Sequence, residues 1–306
     1  MAVLRSALIR AGQSDTLERR VRSFGVTRSL SQRFIAGDDV DQAMEVAREL
    51  AGSGARVSLD YVGEYSETAD EARAAAKVFR EVLDRVAQED TAANISVKST
   101  LLGRLVDPQL CEDLLDELLE AAKPVDAHVG LDMEDHELTE DTVRLAEAMA
   151  ERGHRNLGVA VQAYLHRTRE DLVRLTEAGA TVRLTKGAYA EPEHVAYQDS
   201  DRVDAEYDWC TTWLVENGIT PRIATHDHER MAHLKAELAR TGRDRDDVEI
   251  QMLYGVRTDM QQALVRDGYR VCVYVPFGEA WYPYFMRRLA ERPANMFFFG
   301  RAALTG

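Results

Sequence analysis

Two adjacent arginines, Arg287 and Arg288, stand near the C-terminus in the stretch Tyr274-Val-Pro-Phe-Gly-Glu-Ala-Trp-Tyr-Pro-Tyr-Phe-Met-Arg-Arg-Leu-Ala-Glu-Arg-Pro293. The spacing predicts a helix from about Ala280 to Arg292, ended by Pro293. On that helix Tyr284, Arg287, Arg288 and Glu291 share one face, and Phe285, Met286, Leu289 and Ala290 fall roughly opposite. Paired guanidiniums present rigid forks of donors that match a carboxylate. The charged face is therefore either solvated or a clamp for an anion, and the rest of the chain has to decide.

Other residues able to do chemistry recur in one kind of place, at the end of a short apolar run. They are Asp60, then Lys98 in Ser96-Val-Lys98, then Asp132 in Leu131-Asp-Met-Glu-Asp135. Gln162 and Tyr164 follow, then Arg183 with Lys186-Gly187-Ala188-Tyr189, then Thr225-His226-Asp227-His228. Gln251, Tyr254 and Tyr274 complete the series. Singly, each has an ordinary structural explanation as a cap, a surface cation or a packed histidine. Together, Lys98, Arg183, Lys186, Arg287 and Arg288 would make a cationic mouth countered by Asp132 and Glu291, suited to anionic ligands. A metal site is not expected. His226 and His228 lie near Asp132, Glu134 and Asp135 only in principle, and no HExxH or clustered cysteine accompanies them. There is no nucleophile elbow and no phosphate-binding loop of the GxxxxGK type.

The elements that would gather these residues are eight apolar runs alternating with amphipathic stretches. The runs are 55–61, 94–97, 127–131, 157–161, 181–184, 221–224, 248–253 and 269–275. Helical periodicity fills 68–87, 108–122, 139–152, 169–177, 205–216, 229–241 and 259–265. Strand then helix, repeated, argues for parallel strands with right-handed crossovers. The fold class expected is α/β, a (β/α)8 TIM-like barrel, distorted, with its last helix over the mouth. An open doubly wound sheet is the alternative, weakened by the lack of GxGxxG after the first run. Residues 1–50 are expected to form an N-terminal helical arm and 51–306 the barrel catalytic domain. Two polar loops look long, 191–201 and 242–247, and the first is placed to cover a site.

The bulk numbers fit. The chain has 306 residues, 45% of them hydrophobic, enough for one large core. It carries 53 acids against 38 Lys plus Arg, a net charge of −15, which disfavours nucleic acid and anionic lipid as partners. Cys111, Cys210 and Cys272 form no CxxC pattern, as expected of a reduced compartment. No run is long enough to span a membrane. A cytoplasmic location follows, compatible with peripheral contact at the inner face of the membrane.

Taken together, Val182-Arg-Leu-Thr-Lys-Gly-Ala-Tyr189, Tyr274-Val-Pro-Phe-Gly278, Tyr284-Phe-Met-Arg-Arg-Leu-Ala-Glu291, Ser96-Val-Lys98 and Leu131-Asp132 resemble proline dehydrogenase of the monofunctional bacterial type. The likeness runs through about residues 30 to 300. It implies a flavoenzyme that uses FAD to oxidise L-proline to Δ1-pyrroline-5-carboxylate, by hydride transfer from C5 to flavin N5, with a quinone as electron acceptor. It further implies that Arg287, Arg288 and Lys98 hold the substrate carboxylate. Tyr274 and Tyr284 would flank the ring, and Asp132 would orient Tyr274. Arg183 and Gln162 would meet the flavin ring, and Lys186, Gly187, Ala188, Tyr189, Thr225, His226 and Glu291 would contact other parts of the FAD. Tyr284 would crowd a hydroxyl on C4, favouring proline over hydroxyproline. The chain departs from the family at Ala190, where an aromatic residue is common, and at Asp227, where asparagine is common. No fused dehydrogenase is expected, and a separate pyrroline-5-carboxylate dehydrogenase is expected to take the product. The competing readings are another flavin barrel of the methylenetetrahydrofolate reductase kind, a metal-dependent aldolase built on Asp132 and His226, and a non-catalytic barrel for a small anion.

Overall fold

Eight parallel strands close into a barrel in which each strand neighbours the next in chain order and β8 returns to β1. The computed structural model describes residues 33–63, 65–89 and 91–291, with side chains as far as residue 286. The strands are β1 (Arg56–Tyr61), β2 (Ala93–Val97), β3 (Val129–Leu131), β4 (Leu157–Gln162), β5 (Thr181–Thr185), β6 (Arg222–Ala224), β7 (Glu249–Leu253) and β8 (Arg270–Phe277). The α-helices are α1 (Val40–Gly52), α2 (Ala69–Glu89), α3 (Pro108–Ala122), α4 (His136–Glu151), α5 (Thr168–Glu177), α6 (Ser200–Asn217), α7 (His228–Thr241), α8 (Thr258–Arg266) and α9 (Trp281–Glu291).

Aspartate marks many of the helix starts. Asp39, Asp107, Asp135, Asp199 and Asp227 each accept a backbone N–H from the first turn that follows, which satisfies a donor the helix cannot. Asp199 explains why α6 begins at Ser200, five residues before the apolar periodicity starts at Ala205. The expected loop over 191–201 is correspondingly shorter. β8 also outruns its expected end at Val275. Pro276 directs its backbone past the end of β7, where Ala36 N–H donates to its carbonyl at 2.9 Å, so the missing proline N–H costs no ladder bond.

The strands alternate. Val57, Leu59, Ile95, Val97, Val129, Leu131, Val159, Val161, Val182, Leu184, Ile223, Ile250 and Val273 pack against the helices in one continuous core. The intervening residues enter the barrel and are mostly polar. At the end where the strands begin, Glu249 is fully buried, 3.2 Å from Arg222 Nε and 3.6 Å from Arg270 Nε. Burial draws the Arg222 pKa down to about 10, against the pull of Glu249. His128 donates to or accepts from Thr181 Oγ1 at 2.7 Å. Burial, with the charges of Arg222, Arg56 and Arg270, keeps its pKa well below the usual histidine range. β4 makes room for both side chains by offering none: a Cβ at Gly158 would stand 2.5 Å from Arg222 Nη1 and 2.9 Å from His128 Cε1.

Of the expected N-terminal arm, residues 1–32 lie outside the described residues. In α1, Val40, Ala43, Met44 and Ala47 belong to the main core. The last helix lies over the mouth: Trp281, Tyr282, Tyr284, Phe285 and Met286 form a second cluster with Phe34, Ile35 and Val62, against Tyr274 and Val256 at the strand ends.

Glu249→Gln would leave two arginines without their shared counter-ion inside the barrel. The unfolding free energy is expected to fall by about 3 kcal/mol, read from urea melts at neutral pH.

Candidate active site

Where the strands end, three of them deliver side chains to a carboxylate that follows a fourth. Asp132 follows β3 and is 8% exposed. Its Oδ1 accepts from Ser96 Oγ of β2 at 2.5 Å and from an Arg183 guanidinium N–H of β5. Its Oδ2 accepts from the Tyr274 hydroxyl of β8 at 2.8 Å, and Lys98 Nζ stands 3.9 Å away. Arg183 also donates to Ser96 Oγ at 3.3 Å and lies over the Tyr274 ring, 5.5 Å from its centroid. Its Nε is buried with no hydrogen-bond partner among the described residues. Lys98 donates to Asp60 Oδ1 at 3.0 Å, and Asp60 is 1% exposed at the end of β1.

The electrostatics follow from that geometry. Burial pushes the Asp132 carboxyl up, but Arg183, Lys98 and the Ser96 hydroxyl outweigh it and hold the group below the usual carboxylate range. Asp60 goes the other way: burial dominates, Lys98 only partly opposes it, and Asp132 adds to it. Burial and the two carboxylates raise Tyr274 well above an ordinary phenol, so it remains a hydrogen-bond donor. Arg183 stays charged because Asp132, Tyr274 and Asp60 together outweigh its desolvation. Two acids and two cations thus share the floor of the mouth in balance.

A second group lies beside the first. Gln162 is fixed at both ends of its amide: Nε2 donates to the Glu134 carbonyl and Oε1 accepts from Ala188 N–H, each at 3.0 Å. Gly187 has φ +131°, and a Cβ there would meet the Tyr164 ring at 2.4 Å, so only glycine fits this close approach. Tyr189 N–H donates to the Tyr164 hydroxyl at 3.2 Å. Lys186 is paired with Asp204 and with Asp227, the latter at 3.0 Å. Glu134 anchors the loop after β2, accepting from Thr100 N–H and Ser99 Oγ at 3.1 Å each.

The structure brings together Lys98, Asp132, Arg183 and Tyr274, with Tyr284 in the cluster against which Tyr274 packs. It groups Gln162, Lys186, Gly187, Ala188 and Tyr189 on the β4 and β5 loops. Thr225 Oγ1 accepts from Asp227 N–H at 3.1 Å, and His226 Nε2 accepts from Leu253 N–H at 2.8 Å, tying β6 to β7. His228 instead meets Arg257, so the two histidines do not converge, and no cluster of three or more metal-ligating side chains forms among the described residues. The side chains of Arg287, Arg288 and Glu291 lie outside the described residues. Besides Asp132, expected as a counter-charge, the mouth has further acids: Lys98, Arg183 and Lys186 have partners in Asp60, Asp132, Asp204 and Asp227. A guanidinium or ammonium that is largely buried is retained only with such a partner.

A parallel eightfold barrel that concentrates ion-paired and hydrogen-bonded side chains at the C-terminal ends of its strands has the build of a barrel enzyme. The family model described as proline dehydrogenase matches residues 43–301. The chain is 34% identical over 296 residues to proline dehydrogenase 1 of Bacillus subtilis, covering 97% of each, and 32% identical over 283 residues to proline dehydrogenase of Deinococcus radiodurans, covering 91% of each. Its fold is similar to the crystal structure of proline utilization A (PutA) from Bdellovibrio bacteriovorus inactivated by N-propargylglycine. The TM-score is 0.79 and the identity 26%, over 86% of this chain and 32% of that one. This chain belongs to the proline dehydrogenase family and is an oxidoreductase.

Arg183→Met is a direct probe of the floor. A carboxylate with a depressed folded pKa contributes stability above its unfolded value and loses it as the pH falls through the folded value. The variant is therefore expected to lose about 3 kcal/mol of stability at pH 7. The deficit should shrink as the pH drops below about 4, where unfolded aspartate protonates. Urea melts across that range check it.

Proposed function

We propose that the chain oxidises L-proline to Δ1-pyrroline-5-carboxylate with FAD as its cofactor and passes the electrons to a quinone. The observation that carries this reading is the Asp132 hub, which holds Lys98, Arg183 and Tyr274 together in the barrel mouth. The residues present suit a flavin. Arg183 has a buried Nε in need of an acceptor. The Gly187 turn permits an approach that any side chain would obstruct. Gln162, Arg183, Lys186, Gly187, Ala188, Tyr189, Thr225, His226 and Glu291 would hold the FAD. When bound, the flavin supplies the two-electron acceptor, taking the hydride from proline C5 at N5.

The chain does the positioning. Lys98, Arg287 and Arg288 bind the carboxylate, fixing one side of a small ring so that the opposite carbon is presented. Asp132 fixes Tyr274 and, through Arg183, a permanent positive charge that favours charge developing in the reaction. Tyr284, 7% exposed and packed in the α9 cluster, walls the site and disfavours a C4 hydroxyl. Proline loses one amine proton and one hydride, leaving the cyclic imine. The inhibitor named with the Bdellovibrio protein, an N-substituted glycine, shares with proline a secondary amine beside a carboxylate.

Residues 1–50 would serve as an arm and 51–306 as the catalytic barrel. Among the described residues no helix is long and apolar enough to cross a membrane, so a membrane quinone would be reached by peripheral contact. A separate pyrroline-5-carboxylate dehydrogenase would consume the product, in the cytoplasm.

Purified protein should absorb near ~380 and ~450 nm, and anaerobic L-proline should bleach it. A colourless chain that fails to take up FAD, or one bleached by NADH and not by proline, defeats the reading. Arg288→Ala should keep its flavin and raise the KM for proline by an amount corresponding to about 2–5 kcal/mol, measured in steady state. Tyr274→Phe retains the ring over Arg183 but removes the donor to Asp132. A loss in kcat/KM of roughly tenfold is expected, in line with one hydrogen bond to a charged group.

A further inference from the structure

Lys186 and Arg230 come from different elements, the loop after β5 and the first turn of α7, yet they share one carboxylate. Asp204 of α6 contacts Lys186 Nζ with Oδ1 and stands 3.0 Å from Arg230 Nη1 with Oδ2. Arg230 Nε is also 2.9 Å from Asp208 Oδ1, and Lys186 Nζ is 3.0 Å from Asp227 Oδ2. The Arg230 side chain is sunk, 11% exposed, while Lys186 and Asp204 open to solvent at 36% and 30%. Burial opposes the Lys186 charge, but Asp204 and Asp227 raise its pKa all the same, so it is a lasting cation.

A carboxylate spanning two cations occupies the place of a bridging anion. A diphosphate carries the same kind of oxygen acceptors with more charge, and guanidinium and ammonium groups both donate to it well. Any phosphate that engages Lys186 meets carboxylates there already. Asp227 is the less free to leave, because it caps α7 by accepting from Glu229 N–H at 2.9 Å. Asp204 is held by the two side-chain cations and can exchange. We propose that Arg230 is a second anchor for the diphosphate of the cofactor, and that Asp204 is an internal stand-in for that diphosphate which binding displaces. This rests on the reading that Lys186 faces FAD. It assigns roles to two residues outside the set expected from sequence.

The test compares FAD with riboflavin, which has the same ring and no phosphate, each titrated into cofactor-depleted full-length chain and followed by flavin fluorescence. Arg230→Ala should weaken FAD about tenfold, as loss of one charge-assisted bond implies. Riboflavin should be unaffected, and Arg230→Lys should recover most of the loss. Asp204→Asn, which keeps its shape and sheds its charge, should tighten FAD several-fold, again sparing riboflavin. Unchanged FAD affinity in Arg230→Ala, equal losses for both flavins, or weaker FAD binding in Asp204→Asn would each overturn the inference, the last because it marks Asp204 as a strut. Lys186→Ala separates the two layers. If it leaves FAD affinity intact, the placement of FAD on Lys186 fails. If it weakens FAD while Arg230→Ala does not, only the inference fails.

Discussion

A carboxylate buried at the centre of a barrel has to be compensated from several strands at once, and Asp132 is that carboxylate. Ser96, Arg183, Tyr274 and Lys98 approach it from β2, β5, β8 and the end of β2. Removing any one partner leaves a desolvated charge short of a donor, which is costly in a low-dielectric interior. The same requirement fixes the register of three strands around the opening. The positions of the side chains offered to a ligand are thus set by the need to neutralise a group beneath them.

The interior divides into two layers with different work. Near the strand starts, Glu249 with Arg222 and Arg270, and His128 with Thr181, form a polar layer inside the barrel. At the strand ends the groups are equally well paired, but one buried donor is left without a partner among the described residues, the Arg183 Nε. The apolar anchor for the lid-side helix is separate again. Phe285 and Tyr282 are buried with Phe34 and Ile35, so aromatic packing holds the first turns of α9.

Most of the architecture was legible because parallel strands buried on both sides stand out as short apolar runs, and the amphipathic stretches between them have helical spacing. The expected stretch 108–122 matched α3 to the residue. Lys98, Asp132, Arg183 and Tyr274 were legible as strand ends. Their pairing was not, since it joins residues far apart in sequence. Asp60 appeared as a strand end without showing that it would neutralise Lys98. Glu249 and Arg222 sat inside apolar runs, and alternation turns them inward onto each other. Arg230 sat inside one expected helix and Asp204 just before another, and only the packing of α6 beside α7 brings them to Lys186. No local pattern encodes such cross-element charge balance.

The closure of β8 onto β1 has a consequence for how the chain acquires its activity. The Tyr274 hydroxyl and Asp132 are 142 positions apart, and β1 itself is completed along one edge only by β8. During synthesis the first seven strands emerge with an open seam and an Asp132 that lacks its phenolic donor. Contacts of such long sequence separation form late. The mouth is therefore complete only once β8 has closed onto β1, after the other seven strands have been made.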